Sequence, residues 1–254
     1  MPRFAANLSM MFTEWPFLDR FQAAADAGFA AVEYLFPYDH PAEVVAGHLR
    51  AAGLQQALFN MPPGDWDAGD RGLAALPDRR AEFRDSVAKA VDYAGVIGTP
   101  LLHLMAGMAP QTAAHAAAYR SSVAYAADRA GEAGVGLVIE PINRRDMPGY
   151  FLNDFNRAAD LIADLGHSNL ALQFDIYHRQ ILHGDVLTSL AELMPIIGHV
   201  QVASVPLRHE PDSGELNDSN IFAALDRLGY SGFVGCEYRP AKGTVAGLGW
   251  MAGH

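Results

Sequence analysis

The chain has 254 residues, 50% of them hydrophobic and 19% charged, with a formal net charge of −11. That much apolar sequence supports a large core and excludes a disordered protein, while the acidic balance argues against a nucleic-acid backbone as partner, because such binding runs on clustered Lys and Arg. No run approaches the roughly 20 apolar residues of a membrane helix, and the amino-terminal MPRFAANLSMMF lacks the basic region and long apolar core of a signal peptide.

Strand-like and helix-like stretches alternate along the chain. The first strand is expected near residue 4, followed by others at 30–36, 56–60, 101–105, 136–140, 170–175, 199–203 and 232–238. Between them, Phe17 to Ala27 keeps Phe17, Leu18, Phe21, Ala24 and Ala25 on one face before Gly28 ends the helix, and Pro41 opens a second helix that stops near Gly53. Residues 79–96, 113–133, 153–165, 186–193 and 219–228 carry the same helical pattern. Eight β-then-α units in about 250 residues predict a single domain over 1–254, an α/β fold of the closed (β/α)₈ TIM-barrel type. A doubly wound open sheet would be favoured by a GxGxxG turn after an early strand, and none is present.

Four of the later strand runs each deliver one oxygen donor as they end: Glu140 in LVIEPIN, Asp175 in LALQFDIYH, Gln201 in GHVQVA and Glu237 in GFVGCEY. In a barrel these are neighbouring strands, and their carboxyl ends form the mouth where catalytic groups sit. Three carboxylates and an amide offer hard oxygens only, which suit Mg²⁺ or Mn²⁺. A lone acidic residue after a strand is ordinarily a helix cap or a solvated loop residue. Four at once point to one metal site, since converging carboxylates repel unless a cation or raised pKa values let them coexist. Cys236 is the single cysteine, so no intrachain disulfide forms and a cytoplasmic setting is expected. It alternates with Glu237 and should face the outer helices.

Several strings carry a family resemblance over almost the full length: RFAANLSMMFTEWPFLDRF, VEYLFPYD, NMPPGDWDAGDRGLAALP, IEPINRRDMPGYFL, QFDIYH, RHEPDSGELN and GCEYRP. They resemble the hydroxypyruvate isomerase family, which includes the 2-oxo-tetronate isomerases and lies within the xylose-isomerase-like barrels. The resemblance implies an aldose-ketose isomerase that interconverts hydroxypyruvate and tartronate semialdehyde, or else acts on the four-carbon 2-oxo-tetronates; a ketose 3-epimerase or dehydratase on the same site is a more distant reading. It implies Glu140 and Glu237 as the acid/base pair, both also touching the metal, with Asp175 and Gln201 completing its ligands. Many epimerases of the wider group have histidine where this chain has Gln201. No organic cofactor is implied.

A carboxylated substrate requires a cation in an otherwise acidic mouth, and Arg208, in the loop after the seventh strand, is the expected grip. His178 and Asp146 resemble substrate contacts of the epimerase relatives. For all three the plain alternative is a surface residue in a local salt bridge. Glu33 and His103 fall inside apolar strand runs and either line the pocket or pair with each other or with backbone. Asn7 and Asn60 end strands with the same ambiguity. Met10, Met11, Phe12, Trp15 and Trp66 are read as an apolar lid or as contacts of a homo-oligomer.

Overall fold

A computed structural model describes residues 1–253. Eight parallel strands close into a barrel in simple sequence order: β1 (Arg3–Asn7), β2 (Ala31–Tyr34), β3 (Gln55–Asn60), β4 (Leu101–His103), β5 (Gly136–Ile139), β6 (Leu170–Asp175), β7 (Ile197–Val202) and β8 (Phe233–Cys236). Each expected strand is found within two residues of its predicted limits. The helices are α1 (Arg20–Asp26), α2 (Ala42–Ala51), α3 (Arg80–Ile97), α4 (Ala113–Glu132), α5 (Phe155–Leu165), α6 (Ile176–Leu182), α7 (Val186–Leu193) and α8 (Asp218–Arg227). Their ends are set by ordinary local chemistry. Thr112, Asp154 and Asn217 each accept a backbone N–H at the start of a helix, and Gly98, at φ 77°, takes the left-handed conformation that closes α3. None of the described helices is long and apolar enough to cross a membrane.

Strand side chains alternate between two layers. Leu170, Leu172 and Phe174 of β6, Val200 and Val202 of β7, and Val234 and Cys236 of β8 face outward into the large apolar core beneath the helices. Cys236 is buried there, and burial pushes its thiol well above its ordinary pKa, so it is inert as a nucleophile. The inward layer begins with Ala5, Ala31 and Ala57. Higher up it becomes polar, with Glu33, Gln173, Asp175, His199 and Gln201 all buried.

Gly235 makes room for this polar layer. It lies beside Gln201 in the sheet register, and a Cβ there would come within 2.2 Å of the Glu33 carboxylate. Gly235→Ala is therefore expected to destabilise by at least about 1–3 kcal/mol, the usual cost of overpacking a filled interior. Urea unfolding measures it, and a neutral result would mean that Glu33 is free to move aside.

The apolar lid expected near the amino terminus is corrected in part. Met11 and Phe12 are fully buried core residues, whereas Met10 and Trp66 line the mouth and Trp15 is exposed. Phe12 packs edge-on against Phe29, and its N–H donates to Thr244 Oγ1 at 2.7 Å, which pins that loop to the carboxyl-terminal segment.

Candidate active site

Asp175 is both the last residue of β6 and the cap of α6. Its Oδ1 accepts the N–H of Tyr177 at 2.8 Å, leaving buried Oδ2 with no hydrogen-bond partner. Because α6 begins without an intervening loop, His178 in its first turn stands directly over Asp175, with Nε2 3.5 Å from Oδ2. Glu140 follows β5; its Oε1 is likewise buried without a hydrogen bond, and its Oε2 lies 3.6 Å from His103 Nε2. Glu237 follows β8. One donor atom from each of Glu140, Asp175, His178 and Glu237 falls within 4.8 Å of the others.

This arrangement matches the donor chemistry of a hard divalent cation. Three carboxylates converge, and two of their buried oxygens are unsatisfied, a situation that costs free energy unless a cation or proton supplies the missing partner. The pKa values carry the same strain. Burial, with Glu237 and Asp175 nearby, holds Glu140 well above the usual carboxylate range. Burial raises Asp175 to about 6 and Glu237 to about 8, against the opposing pull of Arg208.

The shifts have a measurable sign. A carboxyl raised in the fold binds more protons than it does unfolded, so its favourable contribution is complete below the unfolded value and is lost as pH rises through the folded one. For Glu237 the window runs from 4.5 to about 8. The chelator-treated protein should therefore lose thermal stability as pH rises across that window, and saturating Mn²⁺ should flatten the slope. A melting temperature that climbs with pH under chelation would contradict it.

Arg208, in the left-handed region at φ 57°, reaches back from the loop after β7. It bonds Glu237 Oε2, lies 3.5 Å from Asp175 Oδ2 and 3.4 Å from Asp146 Oδ2, and stacks over Tyr177 at 4.8 Å. Burial pulls its pKa down, but Glu237, Asp175, Glu140 and Asp146 outweigh that and keep it charged. Asp146 also accepts from Tyr177 Oη at 3.2 Å. Arg208 and Asp146 thus both line the cavity, engaged with each other and, through Arg208, with the cluster.

Gln201 stands beside Asp175 in register, but its amide is turned into the barrel. Oε1 accepts from Gln173 at 2.6 Å, and Nε2 donates to Glu33 Oε1 at 2.7 Å. Glu33 also receives Asn7 Nδ2 at 2.9 Å and meets His199 Nε2 at 2.6 Å. Glu33 therefore pairs with His199 rather than His103. Three participants escaped the sequence reading: Gln173, His199 and Asn143, whose amide meets His178 Nδ1 at 2.7 Å. Their only signal is a polar residue on the inward phase of an apolar strand, or directly after one, which is weak without knowledge of the partner.

Above the cluster lies a cavity of about 860 Å³ whose walls include Met10, Asn60, Trp66, His103, Glu140, His178, Arg208 and Glu237. Arg71, Arg145 and Arg239 also line it, and of these Arg71 acts electrostatically on its neighbour Asp70. Arg71 stacks on Trp66 at 3.7 Å. The acidic floor thus lies under a mouth edged with cations.

A 2-oxo-tetronate isomerase from Cupriavidus necator is 56% identical over 99% of this chain and 98% of its own length. A hydroxypyruvate isomerase from Escherichia coli is 42% identical over 99% and 98%. Among solved structures, a Brucella melitensis protein described as an AP endonuclease of family 2 superposes with a TM-score of 0.98 at 48% identity, covering 100% of this chain and 99% of that one. The model of the xylose isomerase-like TIM barrel family matches residues 21–254. With the closed barrel, the strand-end carboxylates and full-length relatives in agreement, the chain belongs to the xylose isomerase-like TIM barrel family, on the branch whose members are named hydroxypyruvate isomerase and 2-oxo-tetronate isomerase.

Proposed function

We propose that this chain is an aldose-ketose isomerase of short 2-keto acids, interconverting hydroxypyruvate and tartronate semialdehyde. The observation that carries the reading is the pair of buried carboxyl groups, Glu140 and Glu237, held in one cluster with Asp175 and both lining the cavity. Moving a carbonyl between adjacent carbons requires a base to take the C3 proton, an acid to return one at C2, and stabilisation of the enediolate between them. Two carboxyl groups held side by side at the floor of the cavity can take the proton from one carbon and return one to its neighbour. One glutamate takes the C3 proton of hydroxypyruvate and the other delivers one to C2.

Glu140, Asp175 and Glu237 would hold Mg²⁺ or Mn²⁺, with Gln201 adjacent as a further ligand once its amide oxygen is released by Gln173. When bound, the ion supplies Lewis-acid stabilisation of negative charge on the substrate oxygens. Arg208 approaches from the side of Asp146 and holds the substrate carboxylate by exchanging its 3.4 Å contact with Asp146 for the incoming anion. Trp66 and Met10 exclude water above it. A cytoplasmic setting belongs to the same reading.

A second substrate, the four-carbon 2-oxo-tetronate, is favoured by the 56% identity to the Cupriavidus necator protein. It requires the same transfer from C3 to C2, so the machinery is unchanged. Strand cleavage of DNA is disfavoured by the net charge of −11. Supplying the Mn²⁺-loaded protein with hydroxypyruvate and 2-oxo-tetronate in parallel tests the reading. Turnover of one or both is expected, lost on chelation and regained with the metal. No turnover of either would refute it.

A further inference from the structure

His178 is the one nitrogen donor in the cluster, and whether it ligates a metal or contacts substrate depends on which ring nitrogen carries the proton. Asn143, fully buried in the loop after β5, decides this. Its Oδ1 accepts the backbone N–H groups of Arg145 and Asp146, each at 2.9 Å. Both lone pairs of that oxygen are used, so the amide cannot turn over without orphaning two backbone donors. Its Nδ2 then necessarily faces the other way, with one hydrogen toward Asp146 Oδ2 at 3.3 Å and the other toward His178 Nδ1 at 2.7 Å. The Asn143 backbone N–H also points at Nδ1, at 3.4 Å.

A ring nitrogen facing two N–H donors must offer its lone pair. Nδ1 is therefore the unprotonated nitrogen, and in a neutral imidazole the hydrogen sits on Nε2. Nε2 is the atom that faces Asp175 Oδ2 at 3.5 Å and Glu140 Oε1 at 3.8 Å, and both oxygens lack a hydrogen-bond partner. The Nε2–H thus points into the cluster without an acceptor of its own.

We propose that Asn143 is a positioning residue that locks His178 in the Nε2–H tautomer, which bars His178 from the metal and makes it a hydrogen-bond donor to the substrate oxygen that becomes negative during isomerisation. Metal coordination through Nε2 would require its lone pair, and that is where the hydrogen lies. The usual arrangement at metal-bound histidines is the reverse, with the remote nitrogen donating to a carboxylate or carbonyl. Here the remote nitrogen accepts from an amide. The identity of the oxygen rests on the isomerase reading; the tautomer does not.

The test reads the tautomer on the protein alone. Nitrogen NMR of the histidine-labelled, metal-free chain should show His178 with Nδ1 unprotonated and Nε2 protonated. NMR-active cadmium bound in the cluster should show no scalar coupling to a histidine nitrogen. Asn143→Asp keeps the acceptor for the Arg145 and Asp146 amides but presents an acceptor to Nδ1. It should invert the tautomer, introduce cadmium coupling to His178 and lower kcat on the order of 10²–10³, the range for losing one donor to a developing oxyanion, with a smaller change in KM. A parent spectrum with Nδ1 protonated, or cadmium coupling in the parent, overturns the proposal even if the variant does not fold. An inverted tautomer with undiminished kcat overturns the donor role. A failed isomerase assay with the parent tautomer as expected would remove the substrate reading and leave the lock in place.

Discussion

Glu237→Gln is expected to keep its fold and lose on the order of 10² or more in kcat, the contribution of a positioned general acid or base. The substitution is isosteric, and its side-chain oxygen still accepts from Arg208 as Glu237 Oε2 does. It also removes one negative charge from a group in which burial and crowding already hold Glu140 and Asp175 above their ordinary range. The chelated variant should accordingly be no less stable than the parent, and more stable at alkaline pH, where the parent is forced to ionise Glu237. Loss of turnover with retained stability is the signature of a proton carrier rather than a structural brace. Near-normal kcat would remove Glu237 from the acid/base pair.

Arg208→Met is expected to act on stability first. The guanidinium bonds Glu237, approaches Asp175 and Asp146, and is only 12% exposed. Removing one partner of a buried pair typically costs about 3–5 kcal/mol, because the remaining charge is left in low dielectric. Here the stranded carboxylates are those that would hold the divalent ion. Mn²⁺ should therefore restore most of the lost stability, so the gap between variant and parent in urea unfolding should be wide under chelation and narrow with metal. Equal gaps in both conditions would show that Arg208 braces the loops without neutralising the cluster. Turnover should fall even with metal present, since the carboxylate grip goes with the side chain.

The two substitutions also show what the sequence could and could not disclose. Parallel strands buried on both faces read as short apolar runs between turns, so all eight were visible, as was the delivery of Glu140, Asp175 and Glu237 at their ends. The short helix α6 was not, because it has seven residues and starts on Asp175 itself, with neither loop nor full period to mark it. That hid how closely His178 is tied to Asp175.

Pairings inside the barrel were equally silent. Glu33 and His199 are 166 positions apart and meet only because the barrel closes. His103 lies within two residues of its expected strand end, yet its neighbour in space is Glu140. Gln201 shows the limit most clearly. Its position beside Asp175 was predictable from strand phase, but the commitment of its amide to Gln173 and Glu33 depends on side chains from two other strands. Met11 and Phe12 sit in an apolar string near the mouth, and only their complete burial, with Phe12 packed on Phe29 and bonded to Thr244, shows them to be core.

Glu140 and Glu237 are proposed to carry a proton between adjacent carbons of a short 2-keto acid. Isomerisation of hydroxypyruvate by the Mn²⁺-loaded protein in D₂O, followed by proton NMR with Glu140→Gln and Glu237→Gln in parallel, tests it most directly. The parent should form tartronate semialdehyde with deuterium entering at C2, and each variant should lose net isomerisation, with exchange at C3 surviving only in the one that retains the base. Undiminished isomerisation in both variants, or no reaction in the parent with metal restored, would show that the two glutamates do not carry the proton.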